Sequence, residues 1–288
     1  MENTQDINVS RLANAWAELQ QHANEGEALD ADAYRLAFAD PEFLLRRETR
    51  GLRMQLEMLK PEIAMQEQGI DNTIVVFGSA RFAAPEDASK EQQAAFESGD
   101  AKAIALAAQK MRNAQYYEQA RQFSRLVAGY GARKPPQDRL YICTGGGPGI
   151  MEAANRGAHD VGALTVGLNI ALPHEQSANP YVSTSVNFKF HYFALRKMHF
   201  MMRAKALVAF PGGMGTLDEL FEVLTLVQTR KVKPVPIVLF GTDYWKRLVN
   251  FDVMVEEGTI SKEDLDLFTY TDEPQEAWDM IKAFYDLA

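Results

Sequence analysis

Cysteine is nearly absent: Cys143 is the single one in 288 residues, which rules out an intramolecular disulfide framework. It sits in the apolar run "LYIC", where a small buried side chain is the expected role rather than a nucleophile. No apolar run is long enough to cross a bilayer, since "TIVVF" and "PIVLF" have only the length of strands. The amino terminus, "MENTQDINVSR", is polar and acidic and lacks the pattern of a secretory signal, so the cytoplasm is the expected compartment. An excess of basic residues is missing too, and a net charge of −9 argues against an extended nucleic-acid surface. Internal repeats and long low-complexity segments are likewise lacking. What remains is an ordinary globular composition, 47% hydrophobic and 24% charged, with room for one or two domains.

The pattern changes near residue 70. Residues 1–70 read as a helical extension: "VSRLANAWAELQQHA" opens with a serine cap, and "FLLRRETRGLRMQLEMLKPEIAMQEQG" is long and amphipathic. Its arginines, Arg46, Arg47, Arg50 and Arg53, are expected on a solvated face. From residue 71 to 288 apolar runs alternate with helical patterns. "TIVVFGSAR" (73–81) is a strand, followed by a polar, alanine-rich helical insert over about 84–131. "LYICTGGGPG" (140–149), "LTVGLNIAL" (164–172), the short alternating "VSTSVNFKF", "ALVAF" and "VPIVLFG" (235–241) follow as strands with helices between them, and helices flank "DLFTYTD". Such alternation predicts an α/β fold, a Rossmann-like doubly wound parallel sheet with helices on both faces.

Ligands of such sheets bind beyond the carboxyl ends of the strands. Three strands here end in glycine: at Gly78, followed by Ser79; at Gly145, Gly146 and Gly147; and at Gly212, Gly213 and Gly215. One glycine turn means little, but three on one edge point to a phosphate or nucleotide pocket. The two commonest nucleotide signatures do not fit. "GGGPGIME" has Ile150 where a dinucleotide fingerprint needs its last glycine, and "PGGMGTLDE" lacks the Lys-Ser/Thr of a Walker A loop.

Between Gln176 and Leu217 there is no Asp or Glu, whereas Lys189, Arg196, Lys197, Arg203 and Lys205 all fall there. In so acidic a chain this reads as a local anion site beside the glycine loop. Two acids, Asp218 and Glu219, stand in what reads as the first turn of the following helix. Thr216 to Glu219 spells T-x-x-E, and a capping box accounts for Glu219 by itself. The other reading is catalytic. A carboxylate one sugar's length from a bound phosphate stabilises the positive charge that builds on ribose as an N-glycosidic bond breaks, or activates the attacking water.

The run "PGGMGTLDE" resembles the PGGxGTxxE signature of the Lonely Guy family, the cytokinin riboside 5′-monophosphate phosphoribohydrolases, once mislabelled lysine decarboxylases. "LRKMHF" resembles the family's Arg-Lys pair and "TGGGPGIMEAANRGA" its second glycine motif, so the likeness covers about residues 70–250. The resemblance implies that Arg196 and Glu219 are catalytic and that Gly212, Gly213, Gly215 and Thr216 hold the phosphate. It also implies that Lys197 lines the same site, that Thr225 and Glu175 contact substrate, and that Gly78 and Ser79 form the first glycine turn. The longer "GLNIALPHEQSANPY" and the 84–131 insert resemble bacterial members of AMP nucleosidase type rather than the compact plant pattern. The implied activity is hydrolysis of a purine nucleoside 5′-monophosphate, AMP or a cytokinin nucleotide, to free base and ribose 5-phosphate, by a homodimer or larger homo-oligomer.

No metal or organic cofactor is called for by this chemistry, and His22, His159, His174, His191 and His199 show no metal-ligand grouping. Neither a nucleic acid nor a membrane is an expected partner. A second class uses the same fold and loops without catalysis: molybdenum-cofactor carriers, or a nucleotide sensor governed by the helical leader. A carrier needs the anion cradle but not the Arg196 and Glu219 pair, which favours the enzyme.

Overall fold

The buried apolar runs become the strands of one sheet. A computed structural model of the chain describes residue 17, residue 21 and residues 35–172 and 178–287. The chain divides into two units, Met1–Glu57 and Met58–Ala288. In the first, the Asp40 carboxylate accepts from the N–H groups of Glu42 and Phe43 at 3.0 and 3.1 Å and so caps helix α1 (Pro41–Leu45). Arg46, Arg47 and Arg50 are exposed, while Arg53 turns back to donate to the Arg46 carbonyl at 2.7 Å. Helix α2 (Arg50–Glu67) follows.

In the second unit, strands β1 (Thr73–Phe77), β2 (Tyr141–Thr144), β3 (Thr165–Ile170), β4 (Asn187–Phe190), β5 (Ala204–Ala209), β6 (Ile237–Phe240) and β7 (Thr269–Thr271) lie in the order β4-β3-β2-β1-β5-β6-β7. Every pairing is parallel. Central strands β1, β2 and β6 are buried along their whole length, as expected of strands covered on both faces. β4, at the edge, alternates exposed and buried. The three-residue β7 escapes the sequence pattern because it is too short to show a period. The fold is therefore α/β and doubly wound, as predicted.

The winding places the site. From β1 the chain steps outward through β2, β3 and β4, then returns on helix α6 (Phe193–Met202) to lay β5 on the other side of β1. The chain leaving β1 winds toward β2 and the chain leaving β5 toward β6, so the switch point of the sheet lies at the carboxyl ends of these two adjacent strands. Two helices cover the insert region, α3 (Pro85–Ser98) and the long α4 (Ala101–Gly131), the latter packed on α5 (Ile150–His159). Tyr117, Ala120, Phe123 and Val127 of α4 are buried in the same core as Ile74, Val76, Ile142 and Val208. Helix α7 (Met214–Gln228) leaves the β5 turn; α8 (Thr242–Leu248) and α9 (Phe251–Glu256) follow β6, and α10 (Pro274–Phe284) closes the unit.

The basic stretch does not converge on one site. Arg203 stands at the opposite end of the sheet, just before β5, where its guanidinium donates to both carboxylate oxygens of Glu62 at 2.8 Å and to the Ile70 carbonyl at 2.8 Å. Lys205 is at that end also, over the ring of Tyr285. Of the five cations, Arg196 is the one that reaches the crevice wall.

Candidate active site

Backbone contacts stitch the first and third glycine turns together. Ser79 N–H donates to the Pro211 carbonyl at 3.0 Å, and Ile150 N–H, opening α5, donates to the Ser79 carbonyl at 3.0 Å. A Cβ on Gly212 would stand 2.2 Å from Thr216 Oγ1 and 3.1 Å from the Gly78 carbonyl carbon, so glycine is obligatory there for packing. Gly213 and Gly215 differ: a Cβ on either would meet nothing within 4 Å, and Gly213 has an extended backbone open to any residue. The space above them is empty because the turn borders a cavity of about 1100 Å³.

Helix α7 begins at Met214 with Gly213 as its N-cap, and no side chain caps it. Thr216 is thus the third helical residue and Glu219 the sixth. The capping-box reading fails on this register, because its threonine would have to precede the helix. Asp218 and Glu219 accordingly occupy the second turn, not the first. The uncapped start leaves backbone N–H groups and the positive helix end facing outward, the arrangement that receives anions. Tyr244 of α8 fixes this turn by donating its hydroxyl to the Gly212 carbonyl at 2.6 Å. Since a trans peptide sets C=O and N–H on opposite sides, that bond aims the Gly213 N–H away from Tyr244.

Glu219 and Arg196 meet at the wall of the cavity. Arg196 projects from α6; its Nε donates to the Leu168 carbonyl at 2.7 Å, and its guanidinium lies 5.1 Å from the centre of the Phe200 ring. Its Nη1 stands 3.6 Å from Glu219 Oε1, an ion-pair separation too long for a hydrogen bond. Both side chains are about nine-tenths buried. Burial pushes the Glu219 carboxyl up from 4.5 to about 7, against the pull of Arg196 and Lys197. Burial also lowers the pKa of Arg196, which Glu219 opposes. Desolvation therefore outweighs the attraction within the pair, and a carboxyl poised near neutrality results.

The sequence-derived residues that the structure describes divide into three groups. Gly78, Ser79, Arg196, Gly212, Gly213, Gly215, Thr216 and Glu219 line the one cavity. Gly145, Gly146 and Gly147 stand behind its wall: a Cβ on Gly145 would fall 2.6 Å from Arg196 Nη2, and the carbonyls of Gly146 and Gly147 accept from Asn179 at 2.9 and 3.0 Å. Asn179 belongs to a buried network with Thr144, Asn155 and Thr165. Lys197 and Thr225 face an adjoining hollow with Leu217, Phe221 and Glu222. There Lys197 Nζ pairs with Asp218 at 2.9 Å and Glu222 at 2.7 Å, while Thr225 Oγ1 donates to the Phe221 carbonyl of its own helix. Glu175 and His174 lie outside the described residues, as does His22.

Half of the cavity wall carries no glycine signal. Gln109, Arg112, Asn113 and Tyr116 of α4 line it, with Arg81 and Phe82 beyond β1 and Asp243, Tyr244 and Arg247 of α8. The α4 residues share one helical face at the spacing i, i+3, i+4, i+7, visible in the sequence but indistinguishable there from a solvated stripe. Among the described residues no group of three or more His, Cys, Asp or Glu could hold a metal ion, and no helix is long and apolar enough to cross a membrane.

Comparison with known proteins adds three observations. The model of a family described as possible lysine decarboxylase matches residues 151–281. The chain is 33% identical over 121 residues to a cytokinin riboside 5′-monophosphate phosphoribohydrolase of Arabidopsis thaliana, covering 41% of this chain and 54% of that one. It is 29% identical over 154 residues to a probable enzyme of the same name from Oryza sativa subsp. japonica, covering 52% of this chain and 65% of that one. The matches thus span a little over half to about two-thirds of those relatives. Among solved structures, the molybdenum-cofactor carrier of Chlamydomonas reinhardtii superposes with a TM-score of 0.46 at 18% identity, covering 76% of this chain and 99% of that one. The molybdenum cofactor binding protein of Rippkaea orientalis gives 0.45 at 19%, covering 75% and 98%.

Proposed function

We propose that the chain is a member of the Lonely Guy family and that it hydrolyses the N-glycosidic bond of a purine nucleoside 5′-monophosphate, AMP or a cytokinin nucleotide, giving the free base and ribose 5-phosphate. The observation that carries this reading is the buried Arg196 and Glu219 pair, 3.6 Å apart, in the cavity bordered by the bare Gly213 and Gly215 turn. The phosphomonoester rests on the N–H groups at the start of α7, whose dipole favours an anion. The ribose then spans from that turn toward Glu219, five residues along the same helix.

As the bond from C1′ to the base nitrogen lengthens, its electron pair leaves with the base and positive charge develops on the ribose. Ionised Glu219 stabilises that charge and accepts a proton from the water that attacks C1′. A carboxyl with a pKa of about 7 is matched to such proton transfer at neutral pH. Arg196, held by Leu168 and Phe200, orients the ribose side of the substrate and keeps Glu219 partly ionised. The reaction consumes one water and regenerates the carboxylate when the departing base takes up the proton.

The test is chromatographic: purified protein is incubated with AMP and with a cytokinin riboside monophosphate, and free base is measured. Release by the parent, with kcat/KM rising through an apparent pKa near 7, is the expected result. Binding of the monophosphates without any release of base would overturn the hydrolase and leave a carrier or sensor.

A further inference from the structure

The glycine turn that opens α7 lacks the lysine carried by Walker-type phosphate loops, and Lys197, in the adjoining hollow, is engaged by Asp218 and Glu222. We propose that Arg81 and Arg112 supply the missing positive charge and form a second wall of the phosphate subsite, gripping the phosphomonoester dianion beside the start of α7. The inference rests on the hydrolase reading of the cavity, and it assigns binding to two residues outside the family's matched region, 151–281.

Charge accounting inside the cavity leads to these two. Of its ionisable side chains, Arg196 is paired with Glu219, Arg247 with Asp243 at 3.1 Å, and Asp218 with Lys197. Arg81 and Arg112 line the same cavity and form no ion pair with any described residue. Two uncompensated cations therefore share one opening in a chain whose net charge is −9. Both residues are exposed, and an anion bound between two like charges turns their mutual repulsion into attraction.

The backbone brings the two together beside the turn. Arg81 N–H donates to Ser79 Oγ at 3.1 Å, and Ser79 N–H donates to Pro211, so Arg81 departs from a segment tied directly to the phosphate turn. Its neighbour Phe82 stacks on Tyr116 with ring centres 5.9 Å apart and planes 22° from parallel. Arg112 lies one helical turn before Tyr116 on α4, and so on the same face. The Phe82 and Tyr116 stack thus holds the segment that carries Arg81 against the face of α4 that carries Arg112, and both residues line the cavity. A planar guanidinium with paired donors matches phosphate oxygens bidentately.

The experiment titrates inorganic phosphate into the full chain by calorimetry, for the parent, Arg81→Gln, Arg112→Gln and the double variant, and measures AMP and adenosine cleavage alongside. Each single change is expected to weaken phosphate binding and raise KM for AMP roughly tenfold, with a far smaller fall in kcat. Adenosine, which has no phosphate, should be cleaved equally by all four proteins, and added salt should erase the difference between parent and variants for AMP. Phosphate affinity and KM for AMP unchanged in the double variant would overturn the proposal while leaving the hydrolase intact. A parent that cleaves no monophosphate sinks the hydrolase reading instead, and the phosphate titration then decides the arginine wall by itself. A parent that does not bind phosphate refutes it.

Discussion

Gly145–Gly147 and Gly212–Gly215 both leave a buried strand and both precede a helix, yet they do opposite things with the room that glycine gives. At the first turn the room is filled by protein: Arg196 and Met151 crowd Gly145, and Asn169 crowds Gly146, which also has a positive φ of 70°. At the second, Gly213 and Gly215 face open space and have no neighbour to avoid. Gly212, packed against Thr216, behaves as the first turn does, so the second turn contains both uses. Bare backbone thus carries two messages in such folds. One is room for a neighbouring side chain to pack, and the other is bare backbone left open to the cavity.

That contrast sets the expected effects of substitution, from large to small. Glu219→Gln removes the ionisable group at the centre, and turnover of a purine monophosphate should fall by roughly 10³-fold. The same change should stabilise the fold at high pH. The folded-state pKa of Glu219 lies above its unfolded value of 4.5, so the stability of its protonated form is complete below pH 4.5 and is lost as pH rises through about 7. A neutral glutamine never incurs that loss, which amounts to about 3 kcal/mol at roughly 1.4 kcal/mol per unit. Urea denaturation should therefore find variant and parent alike near pH 4, and the variant more stable at pH 8. Equal stability at pH 8 would refute the raised pKa.

Gly145→Ala places a methyl where Arg196 Nη2 now lies, 2.6 Å from the new carbon. The guanidinium must shift by about an ångström, and kcat should drop roughly 10²-fold with phosphate affinity retained. Gly213→Ala gives the reverse signature. Its melting temperature should match the parent, since the new methyl touches no protein atom, while KM for AMP rises about tenfold because the methyl occupies ligand space. If instead Gly213→Ala unfolds the protein and Gly145→Ala spares kcat, the distinction between the turns collapses. The smallest expected effect belongs to Tyr244→Phe, which deletes the bond to Gly212 and lets that peptide rotate. A rise of a few-fold in KM, worth about 1 kcal/mol, with kcat preserved, would identify it as a positioning residue.

The carboxyl edge of the sheet was legible because parallel strands announce themselves as short apolar runs and their ends as glycines. Arg196 and Glu219 were legible as a pair only through the resemblance of their flanking motifs, since nothing local says that residues 23 positions apart will meet. Where sequence reasoning slipped, a register or a partner was the cause. The helix begins at Met214 rather than after Thr216, because an N-terminus facing a cavity needs no side-chain cap and leaves none to find. Arg203 looked like part of an anion site until its place at the far end of β5 gave it Glu62. The α4 wall stayed hidden because a polar helical face has the same spacing whether it borders water or substrate.

The Glu62 and Arg203 contact has a bearing on where this molecule can be cut. Glu62 lies on the last turns of α2, near Met65 and Ile70, which are 1% and 0% exposed, and all three precede the first strand. A chain shortened to begin at residue 71 would strip that cover from the lower rim of the sheet. It would also leave the Arg203 side chain, now 10% exposed, facing no carboxylate, and losing one partner of a shielded pair costs more than the pair contributes. The second unit accordingly begins at Met58, and a shortened chain that keeps the Glu62 contact has to start before residue 62.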